Sequence, residues 1–291
     1  MPIDYQNLRQ WPFQEAAVRY GANDCIRYAL SLGMAQDPLD AQDLQYAYEE
    51  GLRVVPTFLS TMGGSGAWFR DPRSGIQWLQ MLHGEQRMRF HGAVPPGAEL
   101  TCRARISRVV DKGAGRGALV VVQQDWAHAP GGAPLATAQQ VLFCRADGGF
   151  ATAAQPGDVP LEPLPCAPRR APDQTLDMPT LPNAALLYRL GGDRNPIHVL
   201  PQAAREAGFD RPILHGLCTY GMAARAVLRA GELGDGTRLS AIAARFSAPV
   251  FPGETLQARL WHGSQQVQFE LWARERAVPV LSHGLAELQP C

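Results

Sequence analysis

The chain has 291 residues, long for one ordinary domain, and its 46% hydrophobic and 19% charged residues are those of a compact globular protein. Twenty-seven basic residues balance 27 acidic ones, so no overall field draws the protein to nucleic acid or an anionic membrane. An anionic ligand has to be held by a local patch. The positive charge is almost all arginine, with Lys112 the sole lysine; a GC-rich genome explains that bias as well as phosphate binding does. The six cysteines, Cys25, Cys102, Cys144, Cys166, Cys218 and Cys291, lack metal-ligand spacing and read as reduced thiols.

In chain order, the opening MPIDYQNLRQWPF has no basic stretch followed by an apolar run, and no segment holds 18 consecutive apolar residues. The ending ELQPC is not a peroxisomal address, so a cytoplasmic protein without a membrane span is expected. A Tyr-x-Leu segment at Tyr28 to Leu30 leads through an irregular loop to Pro56 and an expected small-residue helix. AVPPGAELTCRARI opens a set of strands that continues through LTCRARISRVV and ALVVVQQDW. VLFCRADGGF, residues 141 to 150, ends as a strand in a glycine turn, closing a first unit over residues 1–150. The Pro- and Ala-rich stretch 151–174 sustains neither helix nor sheet and reads as a linker. A second unit, 175–291, repeats the order: LCTYGMAARAVLRA has helical apolar spacing, and PVFPGETLQARLW, VQFELWA and LSHGLAEL read as strands.

The repeat has a nearly fixed offset. Pro56, Gly97 and Leu100 lie 156 residues before Pro212, Gly253 and Leu256, and Tyr28 and Leu30 lie 160 before Tyr188 and Leu190. One helix wrapped by an antiparallel sheet, repeated once, is an α+β architecture.

Between Tyr188 and the second-unit helix runs YRLGGDRNPIHVLPQAAREAGFDRPILHGLCTYG. Gly191 and Gly192 free the backbone, Pro196 breaks any helix, and Asp193, Asn195 and His198 fall within six residues. Taken alone, DxNP is as consistent with an Asx-turn as with catalysis.

GGDRNPIH followed by AGFDRPILHGLCTYG strongly resembles the hydratase 2 motif of MaoC-like (R)-specific enoyl-CoA hydratases. YALSLGM, LQYAYEEGLRVVPTF, LHGEQ and VVDKGAGRGA in the first half are similar to that family's N-terminal half, so the resemblance covers almost the whole chain. It implies a double hotdog fold, with the catalytic loop in the C-terminal copy and a degenerate N-terminal copy that widens the acyl pocket. QDPLD around Asp37 and Pro38 indeed has no histidine where His198 would fall. Gly192 stands where the family usually has Ser or Thr, and Leu200 where it commonly has Asp.

The resemblance implies an acyl-CoA thioester substrate, (3R) products and a homodimer. Hydration needs a water over C3, a base, an acid for C2 and stabilisation of the enolate oxygen. Asp193 and His198 are the pair that would handle both protons; which is formally the base stays open, because a coupled pair titrates as a unit. Asn195 would orient the loop or the water, and the Gly216 N–H at a helix start would hold the oxygen, unless Gly216 is a plain packing glycine. His215 reads as a core histidine or a direct participant, with His83 as its approximate first-copy counterpart. Arg211 is the candidate for the CoA phosphates, with Arg205, Arg245 and Lys112 as further cations. Trp68, Phe69 and Trp78 are either acyl-pocket lining or plain core. No nucleotide-binding glycine motif or metal-ligand spacing occurs, so no cofactor and no metal are expected. A hotdog thioesterase and a non-catalytic acyl-CoA-binding subunit are the alternatives.

Overall fold

The computed structural model describes residues 3–63, 66–230 and 237–290. The first repeat comprises α1 (Tyr5–Arg9), β1 (Ala16–Tyr20), α2 (Ala22–Ser31), α3 (Ala41–Leu44), β2 (Met81–Phe90), β3 (Ala98–Asp111), β4 (Ala118–His128) and β5 (Pro134–Cys144). The second comprises β6 (Gln174–Pro179), α4 (Ala184–Tyr188), α5 (Pro201–Glu206), α6 (Gly216–Ala230), β7 (Thr237–Phe246), β8 (Thr255–His262), β9 (Gln266–Ala273) and β10 (Val278–Pro290).

All ten strands form one antiparallel sheet in the order β1-β3-β4-β5-β2-β7-β10-β9-β8-β6. Read outward from the central β2–β7 pair, both halves have the same internal order, which is the double hotdog. The register carries the two sequence offsets into space: Leu100 faces Val18 across β3 and β1, and Leu256 faces Met178 across β8 and β6. The equivalent tyrosines meet where the copies adjoin, Tyr28 lying 6.1 Å from Tyr188 between ring centroids.

In the second repeat α6 lies against β7 to β10 and is buried along most of its length, from Cys218 to Val227. Small residues let the first repeat approach it: a Cβ on Gly221 would sit 2.5 Å from the Tyr28 hydroxyl of α2 and 2.6 Å from Leu32, which caps that helix. The first repeat departs from the expected second long helix. Among the described residues between Pro56 and β2 the chain makes only 3-10 turns, at Pro56–Thr61, Trp68–Arg70, Pro72–Ser74 and Trp78–Gln80. The physical cause is local: Gly63, Gly66 and Gly75 adopt left-handed backbone, and Pro72 removes an N–H donor. Trp68, Ile76 and Leu8 of α1 instead pack on Ile106, Val120 and Val122 of the sheet's first half, β1 to β5, called the first sheet below. A larger core runs through both repeats, from Leu100 and Trp126 to Tyr220, Met222 and Phe269.

The stretch after β5 is laid along the outside of the first sheet. Asp158 accepts from the Val109 N–H at 2.7 Å and from the Tyr5 hydroxyl at 2.9 Å, Arg108 reaches the Val159 carbonyl, and Leu164 is buried. Among the described residues no helix is long and apolar enough to cross a membrane.

Candidate active site

Pro196 opens a single 3-10 turn, Pro196–His198, whose preceding residue Asn195 accepts the Ile197 N–H on its own amide oxygen at 3.3 Å. Asp193 in turn accepts the Asn195 N–H at 3.1 Å. The Asx-turn reading of DxNP therefore holds for the local backbone. The same turns present the Asp193 side chain to solvent and tuck His198 half inside. Gly192 has φ 131°, a conformation a side chain strains, and a Cβ there would stand 3.4 Å from the Thr61 carbonyl of the first repeat. That is a local reason for glycine at a position where the family usually has Ser or Thr.

His198 Nδ1 lies 2.9 Å from the Ile213 carbonyl oxygen. A carbonyl only accepts, so Nδ1 carries the hydrogen and Nε2 of the neutral ring keeps its lone pair. Burial lowers the His198 pKa, opposed by this hydrogen bond and the nearby Asp193 carboxylate. Its ring stacks on His215, centroids 3.7 Å apart at 27°, and the Tyr188 ring lies 4.9 Å from His215, tilted by 43°. His215 is fully buried and its Nε2–H donates to the Asp193 carbonyl at 3.1 Å, tying the loop to the start of α6. Burial first, then neighbouring His198, brings the His215 pKa down to about 4. One nitrogen from each histidine and an Asp193 carboxylate oxygen lie within 4.8 Å of one another. Hydrogen bonds of about 2.8 Å let a single water span such a gap.

Gly216, the first residue of α6, has no helical carbonyl four residues before it for its N–H to bond, and it lines the same cavity as His198. That cavity, about 840 Å³, runs along the β2–β7 junction. Phe246 forms its wall at Gly216, where an added Cβ would meet the ring at 3.2 Å, and His83 packs on the same Phe246 at 4.8 Å. Glu85 of β2 bonds Arg245 of β7 at 2.7 Å and Arg87 at 2.6 Å. Burial alone would raise the Glu85 carboxyl, but the two guanidiniums hold it below the ordinary range.

The fold thus puts His198 and Gly216 on the wall of one cavity, with the Asp193 carboxylate near His198 and Asn195 in the turn between those two, neither of them lining the cavity. It does not bring Arg211 there: its exposed guanidinium covers the Phe251 ring at 4.8 Å, outside the cavity wall. His83 is not the counterpart of His215 either. It sits in strand β2, whereas the 156-residue offset puts Leu59 opposite His215. Trp68 and Phe69 pack with Trp11 and Phe13 in the core under the first sheet, and Trp78 lies beneath Arg70, so none of the three lines the cavity. The walls that sequence reasoning missed are Val121 and Phe143 on the outer face of the first sheet, Phe246, and the linker residues Pro160, Leu161 and Pro163. Alternation along ALVVVQQDW assigns Val121 to the face opposite Val120 and Val122, but nothing in the sequence says that this face is covered.

A family model described as the MFE-2 hydratase 2 N-terminal domain matches residues 18–146, and one described as the MaoC like domain matches residues 164–282. The chain is 34% identical to "Enoyl-CoA hydratase ChsH3" of Mycobacterium tuberculosis, covering 100% of both proteins. It is 36% identical to the mouse peroxisomal multifunctional enzyme type 2 over 91% of this chain and 36% of that one. The crystal structure of a MaoC-like dehydratase from Phytophthora capsici superposes with a TM-score of 0.84 at 29% identity, over 99% of each chain. With both halves matched and a full-length relative above 30% identity, the chain belongs to the MaoC-like hydratase 2 family.

Proposed function

We propose that this protein adds water to the double bond of a trans-2-enoyl-CoA, reversibly, giving (3R)-3-hydroxyacyl-CoA. The observation that carries the reading is the pairing of a fixed imidazole with a solvent-facing carboxylate. Nδ1–H of His198 is held by the Ile213 carbonyl, which leaves Nε2 open beside Asp193, at the end of the cavity where α6 begins. A water held between the two attacks C3 as its proton passes to the pair, and the pair returns a proton to C2. The charge that develops on the thioester oxygen is met by the Gly216 N–H and the positive end of α6. Asn195 keeps the turn that carries both groups, and His215 holds the Asp193 backbone. The addition moves no electrons to or from an acceptor, so the reaction asks for no redox cofactor. Family membership supports the substrate class, and relatives are named as enoyl-CoA hydratases. A cytoplasmic homodimer completes the proposal, and sedimentation of the purified protein checks the oligomeric part.

The test is the fall of the enoyl-thioester absorbance when protein meets crotonyl-, octenoyl- and dodecenoyl-CoA, with product chirality read by a (3R)-specific dehydrogenase. Loss of the band without free thiol is the expected result. Release of free CoA with the double bond intact would replace the proposal with a thioesterase.

A further inference from the structure

Away from the Asp193–His198 pair, the fold assembles a second group of nucleophilic and titratable side chains. Cys166 Sγ stands 3.6 Å from His283 Nε2, His283 Nδ1 lies 2.9 Å from Ser282 Oγ, and Ser282 Oγ lies 2.7 Å from Ser247 Oγ. The four residues come from three parts of the chain. Cys166 belongs to the stretch 151–174, Ser247 follows β7, and Ser282 and His283 lie in β10. Cys166 and His283 are 117 residues apart, so no local turn accounts for their meeting. The Cys166 carbonyl accepts from Gln268 of β9 at 3.2 Å, which holds the thiol's own backbone against the sheet.

A bulge in β10 aims the imidazole. Ser282 pairs with Arg245 of β7 and Leu285 with Ala243, so His283 and Gly284 together oppose the single residue Ala244. His283 takes left-handed backbone at φ 54°, and a Cβ on Gly284 would stand 2.4 Å from the Phe269 ring and carbonyl, so only glycine fits there. Regular alternation sends neighbouring side chains to opposite faces of a sheet. The bulge instead lets the Ser282 hydroxyl and the His283 ring meet.

An ordering of hydrogens in which S–H points to Nε2, Nδ1–H to Ser282 Oγ and the Ser282 hydroxyl to Ser247 Oγ satisfies every contact. It makes a nucleophile, the base that takes its proton and the group that orients the base. Among the described cysteines Cys166 alone is exposed. Cys25, Cys102 and Cys144 are buried, and burial pushes their thiols up to about 12. Acyl transfer to Cys166 would need donors for an oxyanion, and the two serine hydroxyls that lie here are already engaged. Exchange with a disulfide needs none: charge develops only on the leaving sulfur, and the imidazolium that has taken the Cys166 proton is there to neutralise it.

We propose that Cys166, His283 and Ser282 form a second nucleophilic site, at which the Cys166 thiol exchanges with small-molecule disulfides. As the new sulfur–sulfur bond forms, the S–S bond of the reagent breaks, and the Cys166 proton passes to His283 Nε2 and on to the leaving thiolate. The products are a mixed disulfide on Cys166 and one molecule of thiol, so Cys166 is oxidised and the departing sulfur reduced. The site is independent of the hydration chemistry.

The experiment follows thiol release when the reduced full-length chain meets hydroxyethyl disulfide or 5,5′-dithiobis(2-nitrobenzoate), with peptide mass mapping to locate the adduct. Cys291→Ser is the common background, and a peptide of sequence PLPCAPR gives the rate of the same thiol without the fold. The protein is expected to react at Cys166 about tenfold faster than the peptide or more, as general-base assistance supplies. His283→Asn removes the base while keeping a residue that tolerates left-handed backbone, and should return the rate to that of the peptide. Ser282→Ala, which removes only the orienting hydroxyl, should slow it by about threefold or more. Circular dichroism matching the wild type is expected for both variants, and the peptide comparison holds even if one of them does not fold. A protein rate no faster than the peptide's, an undiminished rate in folded His283→Asn, or an adduct that maps to another cysteine overturns the site and leaves Cys166 an ordinary exposed thiol.

Discussion

The two repeats share a strand order and register yet differ in the stretch between their first and second strands. In the second repeat that stretch builds a 15-residue helix, α6, from Gly216 to Ala230, and the loop before it carries Asp193, Asn195 and His198. In the first repeat the equivalent stretch breaks into 3-10 turns after Pro56 and carries no histidine near Asp37. The sheet tolerates both because its ladder is made by β1 to β5 and β6 to β10 without help from the helix. What the first repeat lacks is the pair of elements that the proposed chemistry uses, a helix start and a polar loop held against it. What it supplies is the outer face of β4 and β5, a wall of the cavity. On the proposed reading, duplication has divided the work between a copy that reacts and a copy that shapes.

The sharpest way to break that comparison is to remove the acid and base from one copy only. Asp193→Asn and His198→Gln should fold normally and lose on the order of 10²–10⁴ in kcat each, read from the enoyl absorbance. Asp37→Asn, the first-copy match, alters an exposed side chain that bonds only the Leu39 N–H at 2.9 Å and should leave turnover unchanged. Near-normal turnover in both second-copy variants would remove the division of labour altogether. Gly216→Pro comes next: proline fits the first turn of a helix but has no N–H, so a loss of about 10²–10³ in kcat is expected. Gly216→Ala keeps the N–H while crowding Phe246, and so separates the donor from packing.

A third variant tests how firmly the copies hold each other. Arg225 of α6 bonds Asp43 of α3 at 2.7 Å and the Leu32 carbonyl at 3.3 Å, all buried. Arg225→Met leaves Asp43 with Arg229 at 3.6 Å as its remaining cation. A cost of about 3 kcal/mol is expected, the low end of what unpairing a buried ion pair gives, and urea unfolding measures it. A free energy of unfolding unchanged by the substitution would show that the inter-copy ion pair contributes nothing.

The last effect is shared by both copies. Burial lowers His83 in the first repeat and His215 in the second from the ordinary 6.5 to about 4. The unfolded chain then binds more protons than the folded one below pH 6.5, so stability is lost as pH falls from 6.5 towards 4 and is level above it. The melting temperature should drop progressively over that window. His83→Phe and His215→Phe should each flatten part of the slope, and a slope unchanged in both would assign the acid sensitivity to other groups.

Much of this was legible in the residues. Strand alternation, the Pro-Gly entries to β3 and β8, and the 156- and 160-residue offsets contain the duplication, because sheet register forces equivalent residues into equivalent places. The clustering of Asp193, Asn195 and His198 within six residues is also local, since a single turn brings them together whatever the rest of the chain does. The tertiary structure alone decided the rest. Only packing with Trp11 and Phe13 against Ile106, Val120 and Val122 shows that Trp68 is buried structure and not pocket. The His215 bond to the Asp193 carbonyl spans 22 residues, and the Glu85–Arg245 pair spans 160, so no local pattern encodes either. Least legible was the linker. Its composition excludes regular structure, but what an irregular segment covers depends on where the sheet turns its outer face, and that is settled only when all ten strands are in place.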